Sequence, residues 1–425
     1  MKKLLITGIA LLCVTTAQAV EHDHGTKPAP SAKPSKSDPP LKPAKPTRSG
    51  PEKMWMEMLA RKQVLATSVA FDASGRLWRV RAKDRHVLVD RSTDLGKTFG
   101  TAVAVNAKPE AIGADGDSRP KIAIGSLGTV YVSWTRMLDK PFSGDVRFAR
   151  SLDDGKTFSA PITVNDNHEV IGHRFDALAL GADGRVYLAW LDKRDSVAAK
   201  VQGAQYAGSA LYYAVSGDGG ASFSANTKLA DHSCDCCRVA LAAPPKGAPV
   251  AFWRHVYEGN VRDHAVMELK AGATPVRVSH DEWQVEACPH HGPALAIAAD
   301  AVQHYAWFDN APQAKGLFYA QSIDGGSLFS APLHFGNDAR QPGHADVLSL
   351  GRDVYLAWKE FDGENSTIQV MRSRDGGATW GAPQQAAATR DASDHPQLAA
   401  YGGRAFLSWN THKEGYRLIA LEAVP

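Results

Sequence analysis

Seven tryptophans, Trp78, Trp134, Trp190, Trp253, Trp307, Trp358 and Trp409, stand 56, 56, 63, 54, 51 and 51 residues apart. Each closes an apolar run of the form Val-Tyr-Leu-Ala-Trp or a near variant. A unit repeated at this period cannot bury its apolar face alone and must stack on its neighbours. Within each period an apolar strand comes first, as at Pro120-Lys121-Ile122-Ala123-Ile124, then a turn such as Ala182-Asp183-Gly184. The second strand, as at Val186-Tyr187-Leu188-Ala189-Trp190, reads as alternating. A loop of variable length leads to a third strand (Val146-Arg147-Phe148-Ala149) and a fourth (Pro161-Ile162-Thr163-Val164). Four short strands per repeat predict an all-β fold, a β-propeller of four-stranded blades spanning 52–425. Seven tryptophans predict seven blades, with six as the alternative. The last repeat runs out after its third strand, at 416–424, and the segment Trp55–Leu59 is expected to supply the fourth and close the ring.

Five repeats carry Ser-x-Asp-x-Gly-x-x-Phe/Trp between the third and fourth strands, with the aspartates at Asp94, Asp153, Asp218, Asp324 and Asp375. The carboxylate can accept backbone N–H bonds across the turn, the glycine takes a backbone conformation other residues avoid, and the aromatic is expected to pack under the hairpin. This is the Asp box, and residues 55–425 resemble the sialidase-like, BNR-repeat propellers. The resemblance implies chemistry at one end of the central channel. For the sialidases it implies an arginine triad for the substrate carboxylate, a Tyr nucleophile with a Glu beside it, and an Asp acid/base. Arg119, in Ser118-Arg119-Pro120, loosely matches the Arg-Ile-Pro signature, with Arg174 and Arg238 at equivalent places in the next two blades and Asp176 as the acid. Glu360 and Tyr206 lie on loops with nothing to pair them, and three consecutive blades is not the family's spread. Asp boxes also occur in lectin-like propellers that cleave nothing, so an exo-α-sialidase-like glycoside hydrolase and a glycan-binding lectin are both carried forward.

The first residues read as an export signal. Lys2 and Lys3 precede an apolar run, Leu4–Val14, too short to span a bilayer, and Ala17-Gln18-Ala19 is a cleavage signal, with cleavage expected after Ala19. Cys13 follows Leu11-Leu12 rather than a small residue, which disfavours a lipid anchor. Residues 20–51 form a Pro/Lys-rich linker. A periplasmic or secreted protein is expected, without a transmembrane segment. The net charge of +3 is too small to argue for nucleic acid or a polybasic membrane contact.

The residues just before each first strand should converge on the propeller axis. They are Asp117-Ser118-Arg119 in blade two, His173-Arg174-Phe175-Asp176 in blade three, Cys234-Asp235-Cys236-Cys237-Arg238 in blade four, Cys288-Pro289-His290-His291 in blade five, His344-Ala345-Asp346 in blade six and Asp394-His395 in blade seven. Thiolate and imidazole together suit soft or borderline metals. Cys234, Cys236, Cys237, Cys288, His290, His291, His173, His344 and His395 are therefore candidate ligands, for copper first and zinc second. His255, His264 and His412, on loops expected at the same mouth, could join. Cleavage after Ala19 would leave Val20-Glu21-His22, a terminus able to wrap Cu(II) in a square plane, with His24 beside it. The bland reading is one or two disulfides in an oxidising compartment, Cys236 or Cys237 to Cys288 bridging adjacent blades. Disulfide-stapled loops docking a protein partner make a third function. Arg238 stands where a haem-attachment motif needs His, so haem is not expected, nor is a nucleotide.

Overall fold

The computed structural model describes residues 64–422. The expected signal peptide, the linker, His22, His24 and the closing segment Trp55–Leu59 lie outside them. The described chain forms seven antiparallel sheets in sequence order. Six have four strands and the seventh, built from Gln397–Tyr401, Arg404–Thr411 and Gly415–Ala420, has three. This is a seven-bladed β-propeller. The first strands touch one another in succession all the way round, and Gln397–Tyr401 of blade seven meets Thr67–Phe71 of blade one.

All seven repeat tryptophans lie on second strands and are at most 2% exposed. Blade three departs from simple alternation, because every residue of Val186–Asp192 is buried. Adjacent blades stack on both faces of the sheet, and a strand covered on both sides reads as continuously apolar. The longest tryptophan spacing, 63 residues from Trp190 to Trp253, holds an inserted α-helix, Arg194–Val201, between the second and third strands of blade three.

The five Ser-x-Asp-x-Gly turns share one bonding scheme. Asp94, Asp153, Asp218, Asp324 and Asp375 accept the backbone N–H four residues on at 2.8–3.0 Å. The serine Oγ donates to the aspartate and accepts from the glycine N–H. The aromatics do more than underlie their own hairpin. Phe99 packs edge-on against Tyr416 of blade seven, Phe223 against Phe148 of blade two, and Trp380 against Tyr319 of blade five. These three turns therefore staple blades one, three and six to the blade before them, whereas Phe329 packs on Tyr305 of its own blade.

Candidate metal centre at the channel mouth

The connectors that lead into the inner strands meet across the ring. Asp117, before blade two, accepts from Arg238 Nη1 (3.0 Å), before blade four, and from the Gly292 N–H (3.0 Å), before blade five. Arg238 also donates to the Pro293 and Ala345 carbonyls at 2.9 and 2.6 Å. Blades two and five are not neighbours in a seven-membered ring, so these contacts lie at its hub. Burial alone would raise the Asp117 carboxyl, but Arg238, with His395 and His344, holds it well below the usual range.

Around this hub the candidate ligands separate into two groups. The first is thiol-rich. Cys234, Cys236 and Cys237, on the connector between blades three and four, are 1%, 5% and 2% exposed, and their sulfurs lie within 4.8 Å of one another. Cys234 Sγ is 3.5 Å from Cys237 Sγ and 3.8 Å from Cys236 Sγ. Cys236 also lies within 4.8 Å of Cys288 and His290, both exposed, on the connector between blades four and five. All four cysteines are free thiols, so the structure contains no disulfide staple among the described residues. The surroundings are apolar, with Tyr187, Val239, Trp253 and Val256 in the same cluster. Arg262 Nη1 stands 3.3 Å from Cys234 Sγ. The neighbouring Cys236 and Cys237 thiols, with Arg254 and Arg262 behind them, hold the Cys234 thiol well below its ordinary value. The same contacts push Cys236 and Cys237 up.

The second group is imidazole-rich. His291, His344 and His395 stack in a ladder, with ring centroids 4.5 Å apart for His291–His344 and 3.5 Å for His344–His395. Asp117 Oδ1 lies 3.5 Å from His395 Nδ1 and 4.0 Å from His344 Nδ1. Burial pushes all three imidazoles down, His291 to about 4, so that near neutral pH they are uncharged.

Other candidates lie elsewhere. His173 is fully buried in the inner strand His173–Leu180, with Nδ1 2.9 Å from the Gly144 carbonyl and Nε2 3.8 Å from Asp192, and belongs to neither group. His264 is buried in the third strand of blade four, His255 packs on Tyr257, and His412 pairs with Asp391 at 2.9 Å. Arg119 is bidentate on Asp394 (2.8 and 3.1 Å) and Arg238 is clamped on Asp117, so two of the three candidate arginines already hold internal carboxylates. Arg174 lies over Phe142 and Phe175, and burial lowers it. Asp176 accepts from Ser133 Oγ (2.7 Å) and Thr135 Oγ1 (3.1 Å), and burial raises it against the pull of Lys121. Tyr206 donates to Asp231, and Glu360 accepts from the Trp358 indole and the Asn337 N–H.

Sequence reading missed two partners. Asp117 stands among the aligned positions before the first strands but is not among the candidate ligands. Arg262, on the loop after the second strand of blade four, carried no motif at all.

No protein-family model and no curated protein matches the sequence. Solved structures similar to the chain include the BP39L lectin from Burkholderia pseudomallei, with TM-score 0.54 and 11% identity over 86% of this chain and 99% of that one. The polysaccharide lyase Uly1 follows at TM-score 0.52 and 9% identity, over 85% and 91%. The Hadza microbial sialidase Hz136 is similar at TM-score 0.47 and 15% identity, and the match spans 85% of this chain and 66% of the sialidase. At these identities the likeness speaks for architecture, and the chain is a seven-bladed β-propeller.

Proposed function

We propose that this propeller binds a soft metal ion, monovalent copper, through Cys234, Cys236 and Cys237, with Cys288 and His290 as the outer, solvent-facing donors. The observation that carries this reading is the sulfur spacing. A metal–sulfur bond of about 2.3 Å places neighbouring sulfurs about 3.8 Å apart in a tetrahedral shell and about 4.0 Å apart in a trigonal one. The 3.5 and 3.8 Å separations are close to that edge and far from a disulfide's bond length of about 2.05 Å. Charge supports a monovalent ion. Three thiolates and one positive charge leave two negative charges, and Arg254 and Arg262 are at hand to balance them. Arg254 has only a weakened internal partner, because burial pushes the Asp309 carboxyl, 3.8 Å away, up to about 7. The apolar wall disfavours hard, oxygen-seeking ions. Cys236, shared between the buried and exposed sets, gives the ion a path inward. The export signal read in the first nineteen residues would put the site outside the cytoplasm.

The test is an anaerobic copper(I) titration against a chromophoric chelator, using untagged protein with His22→Ala and His24→Ala to silence the tail. One tightly held equivalent is expected, with sulfur-to-copper absorption in the ultraviolet. Cys236→Ser should lower the affinity at least tenfold, and Cys288→Ser should slow loading while leaving the stoichiometry intact. Undiminished binding in the Cys234→Ser/Cys236→Ser/Cys237→Ser variant would overturn the proposal.

A second reading, a glycan-binding propeller, is favoured by one feature. A cavity of about 480 Å³ between blades five and six is lined by Phe308, Phe361, Asn310, Lys315, Asp338 and Glu360. Aromatic faces with convergent polar groups suit a sugar. The lectin and the lyase named above share this architecture. Binding to a glycan array that is lost in Phe361→Ala would support this reading, and an array without signal would remove it. Sialoside hydrolysis is not expected, because Arg119 and Arg238 are committed to Asp394 and Asp117.

A further inference from the structure

The imidazole ladder is chemically distinct from the thiol cluster, and its donors are unspent. Nδ1 of His291, of His344 and of His395 is buried without a hydrogen-bond partner among the described residues. A buried polar atom left unpaired costs about 1–3 kcal/mol, so three together in one place call for a function. Asp117 has capacity to spare. Its Oδ1 accepts from Arg238 and its Oδ2 from the Gly292 N–H, and each carboxylate oxygen has a second lone pair.

The backbone is shaped to hold these rings. Gly116 has φ +70°, and a Cβ there would stand 2.5 Å from the His395 ring. A Cβ on Gly343 would stand 2.6 Å from the His291 ring. The inner strand of blade six, Gly343–Leu350, slips register between Gly343 and Asp346, and His344 within that bulge has φ +54°. Bulges re-aim side chains, and a left-handed non-glycine residue costs on the order of 1–3 kcal/mol unless its surroundings hold it. Here the cost turns His344 toward the hub.

We propose that Asp117, His344 and His395 form a second metal site, for a borderline divalent ion such as zinc or copper(II), separate from the thiols. One ligand atom from each of the three lies within 4.8 Å of the other two. Uncharged imidazole is the ligating form, and two imidazoles with one carboxylate suit a divalent first-row ion. Three protein donors leave positions open, and His291 and His344 also line the 480 Å³ cavity. The open positions therefore face a space large enough for a small ligand. The ladder of rings must splay to admit the ion, which would separate His344 from His395.

The proposal does not rest on the thiol site, and cobalt(II) tells the two apart. Thiolate ligands give intense near-ultraviolet charge-transfer bands, whereas nitrogen and oxygen donors give only weak visible ligand-field bands. Untagged protein carrying His22→Ala and His24→Ala is expected to bind one cobalt of the second kind, displaceable by zinc. His344→Gln and His395→Gln should each remove it while leaving copper(I) binding unchanged. Near-ultraviolet circular dichroism of the tryptophans checks that the variants fold. If they do not, pulsed electron paramagnetic resonance of copper(II) in the His22→Ala/His24→Ala protein decides, two coupled imidazoles being the expected signature. Cobalt bound only with thiolate bands, nitrogen-ligated cobalt retained in both glutamine variants, or a copper(II) spectrum without coupled imidazoles would each refute the site.

Discussion

Lowering the pH from 7 to 5 is expected to destabilise this protein, because several of its histidines are buried uncharged. Five histidines are buried in forms that resist protonation. Burial pushes His255, His291 and His304 down to about 4, and His264 and His344 well below 6.5. In the unfolded chain each returns to about 6.5. Between those values the unfolded state binds more protons than the folded one, so stability falls as pH falls. Each such group contributes up to about 1.4 kcal/mol per pH unit across that window. Several such groups together are a sizeable share of a typical domain stability of about 5–15 kcal/mol. Asp176, Asp281, Asp309 and Asp346 work the other way, since burial raises their carboxyls and each takes up protons on folding. They offset part of the histidine loss, to which His395, also pushed down, adds. The hydrogen-bonded aspartates of the Ser-x-Asp-x-Gly turns, such as Asp94 and Asp153 at about 2, add their own loss only below about pH 4. Urea unfolding followed by tryptophan fluorescence should show the midpoint dropping steeply from pH 7 to pH 5. His264→Phe should flatten that slope, because His264 is fully buried against Phe252 and Trp307 and its Nε2 has no partner. A midpoint that stays level between pH 7 and pH 5 would contradict this account.

The architecture was legible because its causes are local and repeated. A tryptophan at the end of each second strand and a serine–aspartate–glycine turn after each third strand recur at fixed offsets, and both are readable without three-dimensional information. Convergence on the hub was also legible, since equivalent positions of a ring must meet. What the sequence could not resolve is which neighbours meet at short range. Cys236 and Cys288 come together from adjacent connectors, whereas His291, one residue past His290, turns the other way and joins His344 and His395. That division depends on backbone detail at single residues, such as the left-handed conformations of His290 and His344. His173 was misplaced for the same reason. It is the first residue of the inner strand His173–Leu180, paired with Asp192 rather than standing on the connector before it, and its ring is fully buried.

The internal pairing of Arg119 leads to a second large effect. Arg119 resembles a substrate-binding arginine in its position, yet it spans the seam where the ring closes. Asp394, before blade seven, accepts both arms of Arg119 and also the Thr67 N–H of blade one at 2.9 Å. Arg119 donates in addition to the Thr67 carbonyl at 3.0 Å. Beside them Gln397 accepts from the Val69 N–H (3.0 Å), and Asn410 donates to the Leu65 carbonyl (2.9 Å). Blades one and seven are thus joined by side chains reaching across the seam, with the Asp394–Arg119 pair at its centre. Asp394 is 5% exposed. Asp394→Ala leaves a largely buried guanidinium and a backbone N–H without their acceptor, and breaking a buried pair in this way costs about 3–5 kcal/mol. Arg119→Ala should cost less, because Asp394 keeps the Thr67 and His395 N–H donors. Thermal unfolding is expected to rank the proteins wild type, Arg119→Ala, Asp394→Ala in falling order. The opposite order, or an Arg119→Ala variant as stable as wild type, would mean that the arginine is not a seam residue. It would then be available for the carboxylate-binding role that its position in the sequence first suggested.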